Sequence, residues 1–377
     1  MKVKTLHGEF EFEQQMYEDA EGSVGFFELT ESGGNRYVSR GLQELAGYYS
    51  NRLSYEEVSG VVERVSGKAL LSAQSIWNIV HENVEILSEQ LSEQFELAVE
   101  PEAPRLKILP AQELNVYDRT APEILLFEDG ILVKKQKENR EKPASRLLDE
   151  GMPGDKRQNV LSDVVLLETS PGQFEYLLPP IDAEGEFRIP LHEVILQRIH
   201  YYYQSWTKPL PLVVISDGAK TIRHRLEVMF GLGVCVILDW YHLSHKIRNL
   251  ISMIGGNKAE KTTYINELLN LLWQGKTTKA ITYLNTQVHV RNPEKHQELL
   301  SYLEKHQTEI IDYQRRSQAG KSIGSGRMEK AVDQVIGHRQ KRKGMSWRPQ
   351  GSRGLALLKV LELNGGWQEF WFPGTNN

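Results

Sequence analysis

At 377 residues, with 40% hydrophobic and 25% charged side chains, the chain is long enough for two or three domains and is neither disordered nor fibrous in composition. Its one cysteine, Cys235, excludes an intramolecular disulfide and a cysteine-based zinc site. The net charge of −5 hides an asymmetry: residues 1 to 100 carry seven Lys and Arg against 18 Asp and Glu, whereas residues 311 to 360 carry 12 against three, so any phosphate-binding surface belongs near the C-terminal end.

Residues 1 to 35 alternate loosely and read as a small strand-rich opening segment. Met1 to His7 leads into Glu9, Phe10, Glu11 and Glu13 rather than an apolar run, so no signal peptide is expected and the protein is assigned to the cytoplasm. From Leu42 the pattern turns helical. Ser54 and Glu57 make a capping box, Val58, Val61, Val62 and Val65 recur on one face, and Gly67 is suited to a left-handed cap. A second helix starts at Ser72, with Ile76, Ile79, Val80, Val84, Leu87 and Leu91 in helical period. Two helices about a short turn outline a helix-turn-helix over residues 54 to 91, within an N-terminal domain of residues 1–105. Ser72, Ala73, Gln74, Ser75 and Asn78 at the start of its second helix are suited to base edges. A plain helical hairpin fits equally well, because the unit is acidic and its second helix has no Arg or Lys.

Pro101, Pro104 and Pro110 mark a linker. Beyond it come short strands: Ile124 to Phe127, interrupted by Asp129-Gly130 and continued by Ile131 to Val133, then Asp163 to Leu167 and Phe174 to Leu178. The lysine-rich stretch from 134 to 160 reads as a loop. A helix from Leu191 to about Trp206, a strand Leu212 to Ile215, a helix from Arg223 to Phe230 and a strand Val234 to Leu238 complete an α/β pattern, a mixed sheet with helices on its faces. From Ala259 to about Gln314 the period is helical throughout, which predicts an all-helical insertion before the sheet domain resumes. No apolar run approaches the roughly 20 residues of a membrane span, so no membrane partner is expected.

Asp129, Asp217 and Asp239 each stand where an apolar strand gives way to a turn, the place where open α/β sheets put their ligands. Carboxylates without cysteine partners suit hard cations such as magnesium or manganese, which act on phosphates, and a two-ion site asks for another carboxylate from elsewhere. Glu329 is the candidate: Ser322 to Gly326 makes a glycine turn into a helix with an apolar face of Met328, Val332, Val335 and Ile336. Asp333, one turn on, competes with it. The cationic run that follows, His338, Arg339, Lys341, Arg342, Lys343, Arg348 and Arg353 with Trp347 inside it, fits a groove for a nucleic-acid backbone or, more blandly, a solvated face.

Taken in order, Asp129-Gly130, Ser216-Asp217-Gly218-Ala219, Leu238-Asp239-Trp240-Tyr241-His242-Leu243, Gly324-Ser325-Gly326-Arg327-Met328-Glu329, Gly344-Met345-Ser346-Trp347 and Leu363-Asn364-Gly365-Gly366-Trp367 resemble a known family. It is that of the bacterial insertion-sequence transposases with an Asp-Asp-Glu active site on an RNase H-like fold, most closely the Kra-type group, related to the Mutator-like transposases. The resemblance covers about residues 40 to 372. It implies an RNase H-like core in two parts, residues 119–255 and 321–377, the second with the basic DNA-binding helix, around a helical insertion of residues 256–320. It implies that Asp129, Asp217 and Glu329 are the catalytic carboxylates holding two Mg2+ or Mn2+ ions, and that Asp239 and His242 match an Asp-x-x-His motif whose members support those carboxylates or touch DNA. The spacings of 88 residues from Asp129 to Asp217 and 112 from Asp217 to Glu329 leave room for strands and a helix in the first interval and the insertion in the second.

The activity so implied is cutting and joining of transposon ends. Its partners are double-stranded DNA, both inverted repeats and target, and further copies of the chain on DNA, at the bacterial nucleoid. A metal-dependent nuclease without strand transfer is the nearest alternative. A catalytically inactive DNA-binding protein is another. A dehalogenase-like phosphatase would want a second aspartate two residues after Asp129, where Ile131 stands.

Overall fold

The computed structural model describes residues 2–13, 15–19, 22–25, 38–97, 108–137, 159–205, 207–342 and 344–374. The chain opens with two antiparallel hairpins, β1 (Lys2–Thr5) with β2 (Gly8–Glu11) and β3 (Met16–Asp19) with β4 (Gly22–Gly25). Three helices follow: α1 (Arg40–Ser50), α2 (Tyr55–Ser66) and α3 (Ala73–Leu97). The capping box forms as expected, since the Ser54 hydroxyl accepts from the Glu57 amide and the Glu57 carboxylate accepts from the Ser54 amide, and Gly67 caps the C-terminus at φ +73°. Val58 and Val62 are buried, but Val65 projects into solvent from the last turn. On α3 the residues Ile76, Ile79, Val80, Val84 and Leu87 are all buried.

Five strands make the central sheet: β5 (Ile124–Lys134), β6 (Asn159–Ser170), β7 (Gln173–Leu177), β8 (Leu212–Ser216) and β9 (Cys235–Leu238), in the order β7-β6-β5-β8-β9. β6 runs antiparallel to β5 and β7, while β8 and β9 run parallel to β5. Asp129-Gly130 does not interrupt the first strand. Asp129 pairs with Val164 and Gly130 with Asp163, so the β6 ladder carries β5 on past the point, at Glu128, where its pairing with β8 stops.

Alternation along the strands divides the interior. Phe127, Ile131, Val164, Leu166, Val213 and Ile215 face one side, and Leu126, Val165, Leu167, Leu212 and Val214 the other. The second side is covered by α4 (Leu191–Tyr203) and α5 (Lys220–Phe230), through Val194, Ile195, Ile199, Ile222 and Leu226. The first side meets α6 (Trp240–Ile254), which leads into the insertion α7 (Lys258–Trp273), α8 (Thr277–Thr286), α9 (Pro293–Lys305) and α10 (Tyr313–Gln318). It also meets α11 (Gly326–Val332), which passes through a π-helical turn (Asp333–Gly337) into α12 (His338–Gln340), and then α13 (Pro349–Leu363) and α14 (Trp367–Trp371). Met328, Val332, Val335 and Ile336 are buried as the period predicts.

The N-terminal helices are not packed as a separate unit. Arg40 donates to the carbonyls of Phe370 and Trp371 and to Asn83, and Gly354 of α13 lies against Val84 of α3. One continuous apolar cluster therefore runs from Val38 to Trp371 on the first side of the sheet. Each fully buried Leu or Ile in it contributes roughly 1.5–3 kcal/mol of transfer free energy, so the helices and the sheet stabilise each other. No helix among the described residues is long and apolar enough to cross a membrane.

Candidate active site

Asp129 lies on β5 between Phe127 and Ile131 and shares their side of the sheet. Asp217 follows Ser216, the last residue of β8, whose partner on β5 is Glu128. Parallel pairing therefore sets the two aspartates side by side although 88 residues separate them. α11 packs across β5 and β6 on that same side, carrying Glu329 in its first turn.

Electrostatics records the convergence. Burial, and next to it the charge of Asp217, push the Asp129 carboxyl above the usual carboxylate range; Glu329 pushes in the same direction, while the Gly130 amide and His242 pull it down. Asp333, the competitor on the helix, is exposed beside His338 at 3.6 Å and does not figure among these influences. None of Asp129, Asp217 and Glu329 forms an ion pair with a described residue. Among the described residues, the Ala219 amide donates to the Asp217 carboxylate at 2.8 Å and the Gly130 amide to Asp129.

Among the described residues no three His, Cys, Asp or Glu side chains are packed into a ready-made metal-ligand group. The donor set nonetheless fits a hard divalent cation. It is all oxygen, it forms no ion pair with a described residue, and it carries a repulsion at Asp129 that a bound cation would relieve. Asp129, Asp217 and Glu329 are the residues that would hold one.

Two glycines shape the surroundings. Gly218 adopts φ +82°, and a Cβ there would stand 2.6 Å from His306; at Gly324 a Cβ would stand 2.4 Å from the Tyr241 ring. Asp239 is fully buried and is the N-cap of α6: one carboxylate oxygen accepts from the His242 amide at 2.7 Å and the other from the Ser325 amide. The Trp240 amide donates to the Ile323 carbonyl at 3.1 Å. Asp239 thus fixes the turn that opens the Glu329 helix. His242 is exposed, close enough for its charge to act on Asp129.

A buried ionic cluster anchors the same turn from the other side. Arg316 reaches Glu123 at 2.5 Å and the Ser322 carbonyl at 2.6 Å, and Lys321 joins Glu123 at 2.9 Å. Taking one partner from such a set leaves an uncompensated buried charge, so the Arg316–Glu123 pair holds the insertion's exit in register.

Residues of the insertion that sequence reasoning missed border the site. Burial, then the charges of Asp217 and Asp239, push the Tyr302 phenol up, and Lys305 donates to the Gly218 carbonyl at 3.4 Å. Below them, burial pushes His306 down to about 4, and its Nδ1 lies 2.5 Å from the buried Glu309 carboxylate. Tyr302, Lys305 and His306 stand three and four residues apart at the end of α9, a spacing that gathers them on one face.

The basic run divides. Lys341, Arg342 and Arg348 are exposed, as a backbone-binding surface requires. Arg339 corrects the expectation: it is buried, donates to the Ser50 carbonyl at 2.8 Å and lies 4.8 Å from the Trp347 ring centroid. Trp347 is buried too, its indole donating to the Gln340 carbonyl and its amide to the Lys134 carbonyl, so it is no stacking platform for bases. Arg353 donates to the Gly185 carbonyl at 2.5 Å and meets Glu186 at 3.1 Å. These three side chains knit distant segments of the chain together. Lys343 lies outside the described residues.

No curated protein matches the chain at a significant level. The sequence profile of the Uncharacterised protein family (UPF0236) matches residues 1–370, and the chain belongs to that family.

Proposed function

We propose that the protein is an Asp-Asp-Glu DNA transposase that cuts the ends of an insertion sequence and joins them to target DNA. What supports this reading is that Asp129 lies on β5, Asp217 just beyond the end of the parallel neighbour β8 and Glu329 in the first turn of a helix packed across β5 and β6, with the charges of Asp217 and Glu329 both acting on Asp129. The strand order supports an RNase H-like core. Numbered within the sheet it is 3-2-1-4-5 with only the second strand reversed, and Asp129 falls on strand one and Asp217 directly after strand four.

Bound between these carboxylates, a pair of magnesium or manganese ions would activate water and stabilise the leaving oxygen of a phosphodiester. The chain's own residues do the positioning. Asp239 clamps the Ser325 turn that opens the Glu329 helix, His242 offsets the negative charge around Asp129, and exposed Lys341, Arg342 and Arg348 hold phosphates downstream of Glu329. The second helix of the residue 54–91 unit, with Gln74 and Asn78 exposed, is the part assigned to inverted-repeat recognition as a helix-turn-helix.

The test is incubation of the purified chain and its Glu329→Gln variant with duplexes carrying the repeats that flank the coding region, in magnesium. Wild type nicks the repeat ends and joins them to a plasmid, whereas Glu329→Gln binds the same duplex without cutting. Cleavage surviving in the variant overturns the assignment.

A further inference from the structure

A cavity of about 670 Å³ opens between the start of α2, the first turns of α3 and the segment from Gly344 to Gly351. That volume is of the size that encloses a small planar ligand. Its walls combine π surface and unused hydrogen-bonding capacity. Trp77 lines it, stacked on His81 with ring centroids 3.8 Å apart, together with Tyr55, Gln74, Gln350 and the exposed Arg348.

Two buried polar atoms in this wall have no partner among the described residues: the Tyr55 hydroxyl and His81 Nε2. His81 Nδ1 donates to the Trp77 carbonyl at 2.7 Å, which fixes the proton on Nδ1 and leaves Nε2 as an acceptor. Burial also lowers the His81 pKa, in keeping with the neutral ring. Buried polar atoms left unsatisfied are costly, and the pair together asks for a flat molecule that offers at least one N–H.

Charge separates this cavity from the smaller one beside it. The neighbour, about 250 Å³, shares Trp77, His81 and Gln350 but is lined by Glu82, Glu85 and Asp182, which repel phosphate. The larger cavity has Arg348 and Arg339 in its wall and no carboxylate among its lining residues. Gln136 also reaches it, seven residues along the chain from Asp129, and its amide donates to the Trp347 carbonyl. At about 3.3 Å per extended residue that is at most roughly 23 Å from the carboxylates, or about seven base pairs at 3.4 Å each.

We propose that this cavity receives an unpaired nucleobase of the bound DNA, set against the Trp77 indole and hydrogen-bonded along its edge through His81 Nε2 and the Tyr55 hydroxyl, while Arg348 holds the adjoining phosphate. The proposal rests on the DNA reading above and adds a base-capture site remote from the carboxylates. Stacking and hydrogen bonding to an unpaired base lower the cost of taking that base out of a duplex, which favours a locally opened end.

The experiment titrates the full chain with single strands of about 12 nucleotides, a length within one binding groove, against a strand of equal length and charge whose sugars carry no bases. Wild type binds the base-carrying strands roughly tenfold more tightly than the abasic strand. Trp77→Ala and His81→Ala bring the two affinities together without weakening the abasic strand, and Arg348→Ala weakens both alike. Equal affinities in the wild type, or a preference that persists in Trp77→Ala, overturn the base site. If metal-dependent end cleavage is present in that case, the transposase reading stands and only this cavity loses its role. Failure to bind any strand or duplex removes both.

Discussion

Glu128 and Asp129 are neighbours on one strand and face opposite sides of the sheet, and their surroundings could hardly differ more. Glu128 is fully buried and paired with Arg225, which also reaches Asp163 at 2.8 Å. Asp129 has carboxylates for company, Asp217 and Glu329, and no ion pair with a described residue. A carboxylate that the fold itself neutralises serves the fold. One that is gathered with others and left uncompensated is set for a cation from solution.

The sharpest way to break this comparison is to neutralise each side in turn. Asp129→Asn, Asp217→Asn and Glu329→Gln are each expected to lower magnesium-dependent end cleavage by on the order of a thousandfold, about 4 kcal/mol of barrier, while the urea midpoint holds or rises. A cleavage rate within tenfold of wild type for any of them removes that residue from the reacting set. On the other side, Arg225→Ala strips a buried carboxylate of its partner and should cost about 3 kcal/mol of stability in urea unfolding. A loss under 1 kcal/mol there would mean that Glu128 is solvated after all.

A smaller effect tests the open side directly. Magnesium at tenfold its dissociation constant should stabilise the wild type by about 1.4 kcal/mol, seen as a rise in the thermal midpoint, and should leave Asp217→Asn unmoved. Equal shifts in both proteins would place the ion elsewhere. The smallest is a tilt with pH. Burial pushes Glu128 up to about 7 from its ordinary 4.5, so its contribution is fully present below about 4.5 and is lost as pH rises through 7. Between pH 6 and 8 wild type should therefore lose about 1 kcal/mol relative to Glu128→Gln in parallel urea titrations. Parallel stability curves for the two proteins would show that Glu128 titrates outside this range.

The readable part of this molecule was its local grammar. The capping box at Ser54, the helical faces, the strands in chain order and the Asp-Gly after Ile215 all depend on residues a few positions apart. What escaped depends on partners far off in sequence. Asp129-Gly130 reads as a turn, yet Asp163 and Val164 extend the ladder through it. Arg339 and Arg353 read as DNA contacts until the carbonyls of Ser50 and Gly185, 289 and 168 residues away, claim them. Tyr302 and Lys305 looked like ordinary insertion residues, because only the folded chain brings the end of α9 up to Asp217.

Asp239 also sets the mechanics of the insertion. The chain departs from the sheet at this residue and is hydrogen-bonded to it again at Ser325, 86 positions later, so the intervening helices form a loop closed at its base. With both ends tied, length added in the turn between α8 and α9 changes only the slack of that loop, and each doubling of a flexible loop costs only about 0.6 kcal/mol. A reporter domain spliced there would ride on the outside of the molecule while the helix that carries Glu329 kept its place across β5 and β6.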